Sequence, residues 1–295
     1  MNFKRIMKKI NRRAFIGQST IGLGAMLAFS QLPLGSKANG TAKYKHPVGF
    51  QIFPLHDAIT KDFPGTMKMM ADMGYQLVEM CYPLSYAQWG FGALVGIKPS
   101  DMRRMINDAG LHCPSCHFLV QDLMGDNLDK NIEFAHELGL TQMICPGLDV
   151  PGTTISEYKV AASKFNRIAE KIKGAGMKTG LHNHTKEFAI LDGELIYDAI
   201  MGALDGDLVK MQFQTEVITL GYKGPTYFNK YPGRFISAHL SDWTADKKSV
   251  PIGQGVIDWK EFFEAAKIGG VENFFVEMVP ENFKDSAAYI HGLLG

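Results

Sequence analysis

Cysteine is scarce. The 295 residues contain four, Cys81, Cys113, Cys116 and Cys145, too few for a disulfide framework. Cys113-Pro114-Ser115-Cys116 has the spacing of a redox motif, and the flanking His112 and His117 invite a zinc reading. Leu111 to Leu119 reads as a strand, however, where residues three apart face opposite sides, so the two thiols should diverge. A glycine-rich phosphate turn is also missing after the first apolar run. Phe53-Pro54-Leu55-His56 stands there instead, which argues against an open dinucleotide-binding sheet. No low-complexity linker or second apolar core divides the chain. Positive charge is short as well, except at one end. Residues 1–38 hold seven of the 31 basic residues and none of the 30 acidic ones, so the remainder carries 24 basic against 30 acidic side chains. A mildly acidic body does not favour nucleic acid, whose binding depends on Lys and Arg neutralising phosphates. What is abundant is apolar: 46% hydrophobic against 21% charged residues, the balance of a soluble globular protein with a large core.

The basic N-terminus reads as a targeting segment. Asn11-Arg12-Arg13-Ala14-Phe15-Ile16 leads into a glycine-rich apolar run to about Leu34, and Ser36-Lys37-Ala38 offers small residues for cleavage. Paired arginines before Phe and Ile resemble a twin-arginine export signal. Gly17, Gln18, Ser19, Gly22, Gly24 and Gln31 interrupt the run, which makes it a poor membrane span. The expectation is an export signal over 1–38 and a single domain over 39–295, periplasmic in a bacterium, with no membrane span once the signal is removed.

From Val48 onward, short β-rich runs alternate with longer segments of helical period, the pattern of repeated βα units. Strands are predicted near 48–53, 75–80, 111–119, 141–146, 177–183, 208–214, 234–240 and 273–278. Helices are predicted near 62–73, 99–109, 127–138, 155–175, 193–204, 224–231, 258–268 and 284–293. Gly74, Gly110, Gly139 and Gly176 each follow a helical pattern, where a left-handed residue is cheapest as glycine. Ser100-Asp101 and Ser156-Glu157 suit helix starts. Eight strand–helix pairs in about 250 residues is the arithmetic of a closed (β/α)8 TIM barrel. The long connection 81–98 carries Tyr82, Tyr86, Trp89 and Phe91, which suits a substrate lid.

In such a barrel the chemistry sits at the carboxyl ends of the strands. Polar residues collect there: Glu79, His117, His182-Asn183-His184 with Glu187 beyond, Gln214 with Glu216, His239 with Asp242, and Glu277. A single Glu or His at a strand end is as readily a cap or an ion-pair partner, and Cys81 and Cys145 read as small core residues. Convergence is the argument, because apolar strands that carry several such groups at one end must give them a metal, a substrate or one another. His182 and His184 lie two apart, on one face of a strand, a spacing for joint metal ligation or for a bond to the barrel wall. Glu79, His182, Arg234, Tyr82 and Trp89 are candidates for holding a substrate, with Arg234 alternatively anchoring a phosphate or a neighbouring carboxylate.

Three stretches carry a resemblance to a known family: Gly180 to Phe188 (GLHNHTKEF), Pro232 to Trp243 (PGRFISAHLSDW), and Pro251 to Trp259 (PIGQGVIDW) running on to Phe275-Val276-Glu277. In that order they resemble the xylose isomerase-like TIM barrels, often called sugar phosphate isomerases/epimerases, a group that includes ketose epimerases, inosose dehydratases and endonuclease-IV-type repair enzymes. The resemblance implies a divalent metal, commonly manganese, with Mg, Co or Zn as alternatives. Its ligands would be Glu187 (with His184 as neighbour), Gln214, His239 and Glu277. The sixth-strand ligand is usually Asp, and Gln214 brings no charge there; Glu216 is the substitute two residues on. The resemblance further implies α-proton abstraction by Glu187 and Glu277, with His117 and His239 stabilising an oxyanion or protonating a leaving hydroxyl. The expected activity is isomerisation or epimerisation of a non-phosphorylated sugar, keto-sugar or cyclitol. A dehydratase or lyase acting on a keto-sugar or glycoside at the same site and a catalytically silent sugar-binding barrel remain alternatives. A repair phosphodiesterase is disfavoured by the acidic body. The expected partner is a small carbohydrate, not nucleic acid; a homo-oligomer is left open.

Overall fold

The structure, a computed structural model, describes residues 47–294. The export segment expected over 1–38 lies outside the described residues. Eight parallel strands close into a barrel: β1 (Val48–Gln51), β2 (Leu77–Cys81), β3 (His112–His117), β4 (Gln142–Cys145), β5 (Lys178–His182), β6 (Val209–Gln214), β7 (Phe235–Leu240) and β8 (Asn273–Val276). Each strand pairs with its neighbours in chain order, and β8 closes on β1 through Val48 opposite Phe274 and Phe50 opposite Val276. The helices that follow are α1 (Phe63–Asp72), α2 (Pro99–Asp108), α3 (Asp126–Leu138), α4 (Ile155–Gly174), α5 (Ile196–Ala203), α6 (Gly224–Lys230), α7 (Trp259–Gly269) and α8 (Phe283–Leu294). No helix among the described residues is long and apolar enough to cross a membrane.

The helix ends follow local chemistry. Gly74, Gly110, Gly139 and Gly176 all adopt positive φ, between 81° and 100°, as their positions require. The start of α4 is set by Thr154, two residues before the expected Ser156: its hydroxyl accepts from the Glu157 N–H, and the Glu157 carboxylate accepts from the Thr154 N–H. Ser100-Asp101 likewise lies inside α2, which begins at Pro99 without a side-chain cap.

Two cores result. The larger lies between strands and helices, where Phe165, Phe213, Phe228, Trp259 and Phe262 are buried. The smaller fills the lower lumen. Phe275 lies two residues before Glu277 and so shares its face of β8. Gly49 and Gly180 leave room for it and for Ile144: a Cβ on Gly49 would come within 2.5 Å of Phe275 Cδ1, and one on Gly180 within 2.3 Å of Ile144 Cδ1. An irregularity in the β2–β3 register lets Leu77 pair with His112 and Glu79 with Ser115. All four cysteines are buried and free, and the Cys113 and Cys116 thiols each bond a different backbone carbonyl, of Ser115 and His117, as expected for groups that do not form a redox pair.

Candidate active site

Above the apolar plug the lumen turns polar. Its lowest member is Glu79 on β2, 0% exposed. One carboxylate oxygen accepts from the Ser115 hydroxyl and from Gln212 Nε2 at 2.8 Å. The other accepts from His239 Nε2 at 2.5 Å, with His117 Nε2 at 3.1 Å. Gln212 completes the tier: its Nε2 also donates to Ser237 Oγ at 2.9 Å, and its Oε1 accepts from His117 Nε2 at 2.8 Å. Burial alone would raise the Glu79 pKa, but the charges and N–H groups of His117 and His239 more than reverse this and hold it well below the usual carboxylate range.

The next tier belongs to β5–β8. His239 sits between two carboxylates, with Nε2 against Glu79 and Nδ1 2.9 Å from Glu277 Oε2. Burial pushes this imidazole down, yet Glu277 and Glu79 outweigh burial and lift it to about 10. Burial likewise raises Glu277, and His239 reverses it to a net lowering. Gln214 donates Nε2 to Glu277 Oε2 at 2.7 Å. Its Oε1 is buried with no partner, and so is His182 Nδ1 on β5. Burial, then the neighbouring imidazoles His239 and His184, keep His182 neutral. An unmatched buried acceptor costs about 1–3 kcal/mol. Two of them here, beside a carboxylate, indicate a site built for something that accepts lone pairs.

A divalent ion fits that description. His117, His182 and His239 are buried and bring one ring nitrogen each within 4.8 Å of the others, close enough to hold a metal. The carboxylate bond to His239 Nε2 is the partner a metal-bound imidazole usually has, leaving Nδ1 as the ligating atom. Beside these imidazoles on the β5–β8 side stand Gln214 and Glu277, whose amide oxygen and carboxylate are also donor types acceptable to a borderline divalent cation.

The uppermost side chains of these tiers, His117, His182, Gln214 and Glu277, reach a cavity of about 980 Å³. His117, His182, His184, Gln214, Glu216, Glu277 and Trp89 line it. His184 is open to the cavity but hemmed in by its walls, which lower its pKa to about 4, helped by Lys186. Glu216 is raised by partial burial and by Glu277.

Four expected site residues stand elsewhere. Glu187 is buried away from the cavity, because its carboxylate accepts the His184 N–H at 2.8 Å in a cap of the 185–188 turn. The β5 contribution to the cluster is therefore His182, not Glu187. Glu79 lies beneath the cavity floor, out of a substrate's reach. Arg234 precedes β7, at the opposite mouth, and its guanidinium bonds the carbonyls of Met201 and Leu204 around the end of α5. Tyr82 packs its ring on Phe118 (5.2 Å) and Phe134 (5.0 Å), away from the cavity lining. The 82–98 connection is folded into short helices over Pro83–Tyr86, Ala87–Trp89 and Gly92–Leu94, and is tied down by Ser85 to Asp122 and by Thr60 to the Gly90 carbonyl. It is a built wall rather than a loose lid. Asp242 is also buried and organises its loop, accepting from the N–H groups of Gly253 (2.9 Å), Gly255 (3.1 Å) and Trp259 Nε1 (2.8 Å). Gln212, Ser115 and Ser237 escaped the sequence reading. For Gln212 the signal was present, since it lies two residues before Gln214 and shares its face of β6.

A closed parallel barrel with titratable groups gathered at the carboxyl ends of its strands is the arrangement in which TIM barrels carry their sites. More narrowly, the chain belongs to the xylose isomerase-like TIM barrel family, whose model matches residues 67–293. It is 26% identical over 148 residues to an inosose dehydratase of Lacticaseibacillus casei, a match covering 43% of this chain and 49% of that one. The chain thus spans about half the length of the curated relatives it matches. A sugar phosphate isomerase/epimerase from Parabacteroides distasonis has the same fold, with a TM-score of 0.72 and 24% identity over 88% of this chain and 98% of that one. So has a xylose isomerase-like barrel protein from Mycobacterium smegmatis in complex with magnesium, with a TM-score of 0.60 and 14% identity over 85% and 97%.

Proposed function

We propose that the protein is a divalent-metal-dependent enzyme that removes a proton from carbon next to a carbonyl in a non-phosphorylated sugar, keto-sugar or cyclitol, and isomerises or epimerises it. The observation that carries this reading is the pair of unmatched buried acceptors, His182 Nδ1 and Gln214 Oε1, beside His239 and Glu277 at the cavity floor. Those four residues would hold the ion, with manganese the expected metal and Mg, Co or Zn the alternatives. A bound divalent ion supplies Lewis acidity to a carbonyl and its neighbouring hydroxyl, which lowers the cost of an enediolate. Glu277 is the base facing the substrate, and Glu79 keeps the His239 proton on Nε2 from below. His117 and His184 flank the substrate on the wall and stabilise charge as it develops on oxygen.

A second reading is favoured by the position of Glu187. Epimerisation through the expected pair Glu187 and Glu277 loses Glu187 to its turn and leaves Glu216 as the other glutamate of the cavity, whereas Glu277 with imidazoles opposite suits elimination. In that outcome the α-proton goes to Glu277 and the C–H electron pair forms the enediolate; its collapse restores the carbonyl, forms the α–β double bond and breaks the β C–O bond, and the hydroxyl leaves as water with a proton donated by His117. The likeness to inosose dehydratases supports this branch. Export to the periplasm remains part of the proposal.

The test is incubation of the manganese-loaded protein with keto-sugars and inososes in heavy water. The reading expects deuterium at the α-carbon and its loss in Glu277→Gln. Absence of exchange with every such substrate contradicts it. An epimer or isomer supports the first outcome and an unsaturated product the second.

A further inference from the structure

The cavity is larger, and differently lined, than one sugar ring requires. Its 980 Å³ stands at the upper end of the range of about 300–1,000 Å³ that houses drug-sized ligands. Beyond the hydrogen-bonding tiers the lining is mixed, with Gln121, Asp149 and Lys186 as well as aromatic side chains. On one side the upper wall is aromatic: Phe53 follows β1, and Trp89 belongs to the 82–98 wall. The two residues are 38% and 42% exposed although both line the cavity. Behind them Phe91 and Tyr86 are buried and hold them in place. Phe53 stacks on Phe91 at 6.2 Å with planes 28° apart, and Trp89 meets Tyr86 edge-on at 5.2 Å.

The support extends to the backbone. Gly90 turns at φ 96° directly after Trp89, and a Cβ there would lie 3.0 Å from His56 Cβ, so the wall is pressed against the short helix His56–Lys61. Thr60 bonds the Gly90 carbonyl and Ser85 bonds Asp122. The two aromatic faces are therefore set before any ligand arrives, which removes an ordering cost from binding. Val150 and Val279 also line the cavity.

We propose that this upper wall is an outer subsite in which Phe53 and Trp89 stack a second ring of the substrate, so that the substrate is a keto-glycoside, with its ketone on the ring over the floor, rather than a free keto-sugar or bare inosose. The inference rests on the enolising reading of the floor and adds the substrate class to it. The chemistry shared by suitable rings is a flat apolar face, found on an aryl aglycone and on the C–H face of a second pyranose.

Calorimetric titration of the manganese-loaded protein with a free hexose, its phenyl glycoside and its disaccharide, in the gluco and galacto series, tests the proposal. In at least one series the phenyl glycoside or the disaccharide should bind at least about tenfold more tightly than the free sugar. Trp89→Ala and Phe53→Ala should each shrink that ratio by roughly three- to tenfold, with thermal melts showing that the variants are folded. A gain for the phenyl glycoside alone assigns an aryl aglycone, and a gain for the disaccharide assigns a second sugar. Equal affinity for free sugars and glycosides, binding of no probe, or variants that leave the ratio unchanged overturns the subsite. Deuterium exchange with small keto-sugars reports separately on the floor, so the subsite can fail while the enolising reading stands.

Discussion

Replacing Glu79 by glutamine probes the polar core of the barrel, because the side chain keeps its shape and lines no part of the cavity. The carboxylate accepts from Ser115, Gln212 and His239 and lies 3.1 Å from His117 Nε2. An amide keeps one acceptor oxygen. With that oxygen toward His239, its NH2 confronts Gln212 Nε2. The Ser115 hydroxyl can rotate to accept, but the Gln212 N–H cannot, and one unmatched buried donor costs about 1–3 kcal/mol. Turning the amide around satisfies Gln212 but drives the His239 proton onto Nδ1, the nitrogen facing Glu277. Either arrangement weakens a metal site that needs the Nδ1 lone pair. Loss of such an outer carboxylate typically costs about 10–100-fold in metal affinity. Chelator competition should therefore show Glu79→Gln binding Mn²⁺ about 10–100-fold more weakly, and urea unfolding should show a loss of about 1–3 kcal/mol. Wild-type affinity in a folded Glu79→Gln variant would refute the reasoning.

Glu187→Gln should leave Mn²⁺ affinity within about threefold of wild type by the same titration, because its carboxylate caps a turn and any loss belongs to local stability. Metal-free protein should lose thermal stability as pH rises. His239 is lifted from 6.5 to about 10 on folding, so its contribution is complete below about pH 6.5 and disappears as pH climbs through 10; melts of chelator-treated wild type and His239→Gln check this, with the slope flattened in the variant. Asp242→Asn should destabilise the fold by roughly 1.5–3 kcal/mol through loss of charge-assisted bonds to Gly253, Gly255 and Trp259, measured by urea unfolding.

The barrel was legible because its signals are local. Eight strand runs of four to six residues recur along one chain, and positive-φ glycines close five of the helices between them (Gly74, Gly110, Gly139, Gly176 and Gly270), so each boundary depends on neighbours in sequence. The site was legible only to the level of which strand ends carry polar groups. Direction within the lumen is a tertiary property: His182 and Glu187 are five residues apart, and a turn after β5 decides that the imidazole faces the cavity while the carboxylate caps backbone. Arg234 was misassigned for a related reason, since it belongs to the amino end of β7 and the sequence motif spans both ends of that strand. Gln212 shows what period-two reading can recover, because sharing a face with Gln214 follows from spacing alone. Its bond to Glu79 on β2, across the lumen, does not.

Pulsed electron paramagnetic resonance of the manganese-loaded protein bears most directly on the proposed metal centre. The account expects couplings from two imidazole nitrogens, those of His182 and His239, with one lost in His182→Gln and both kept in Glu187→Gln. A manganese signal without imidazole nitrogen, or one that depends on Glu187 and not on His182, would contradict it.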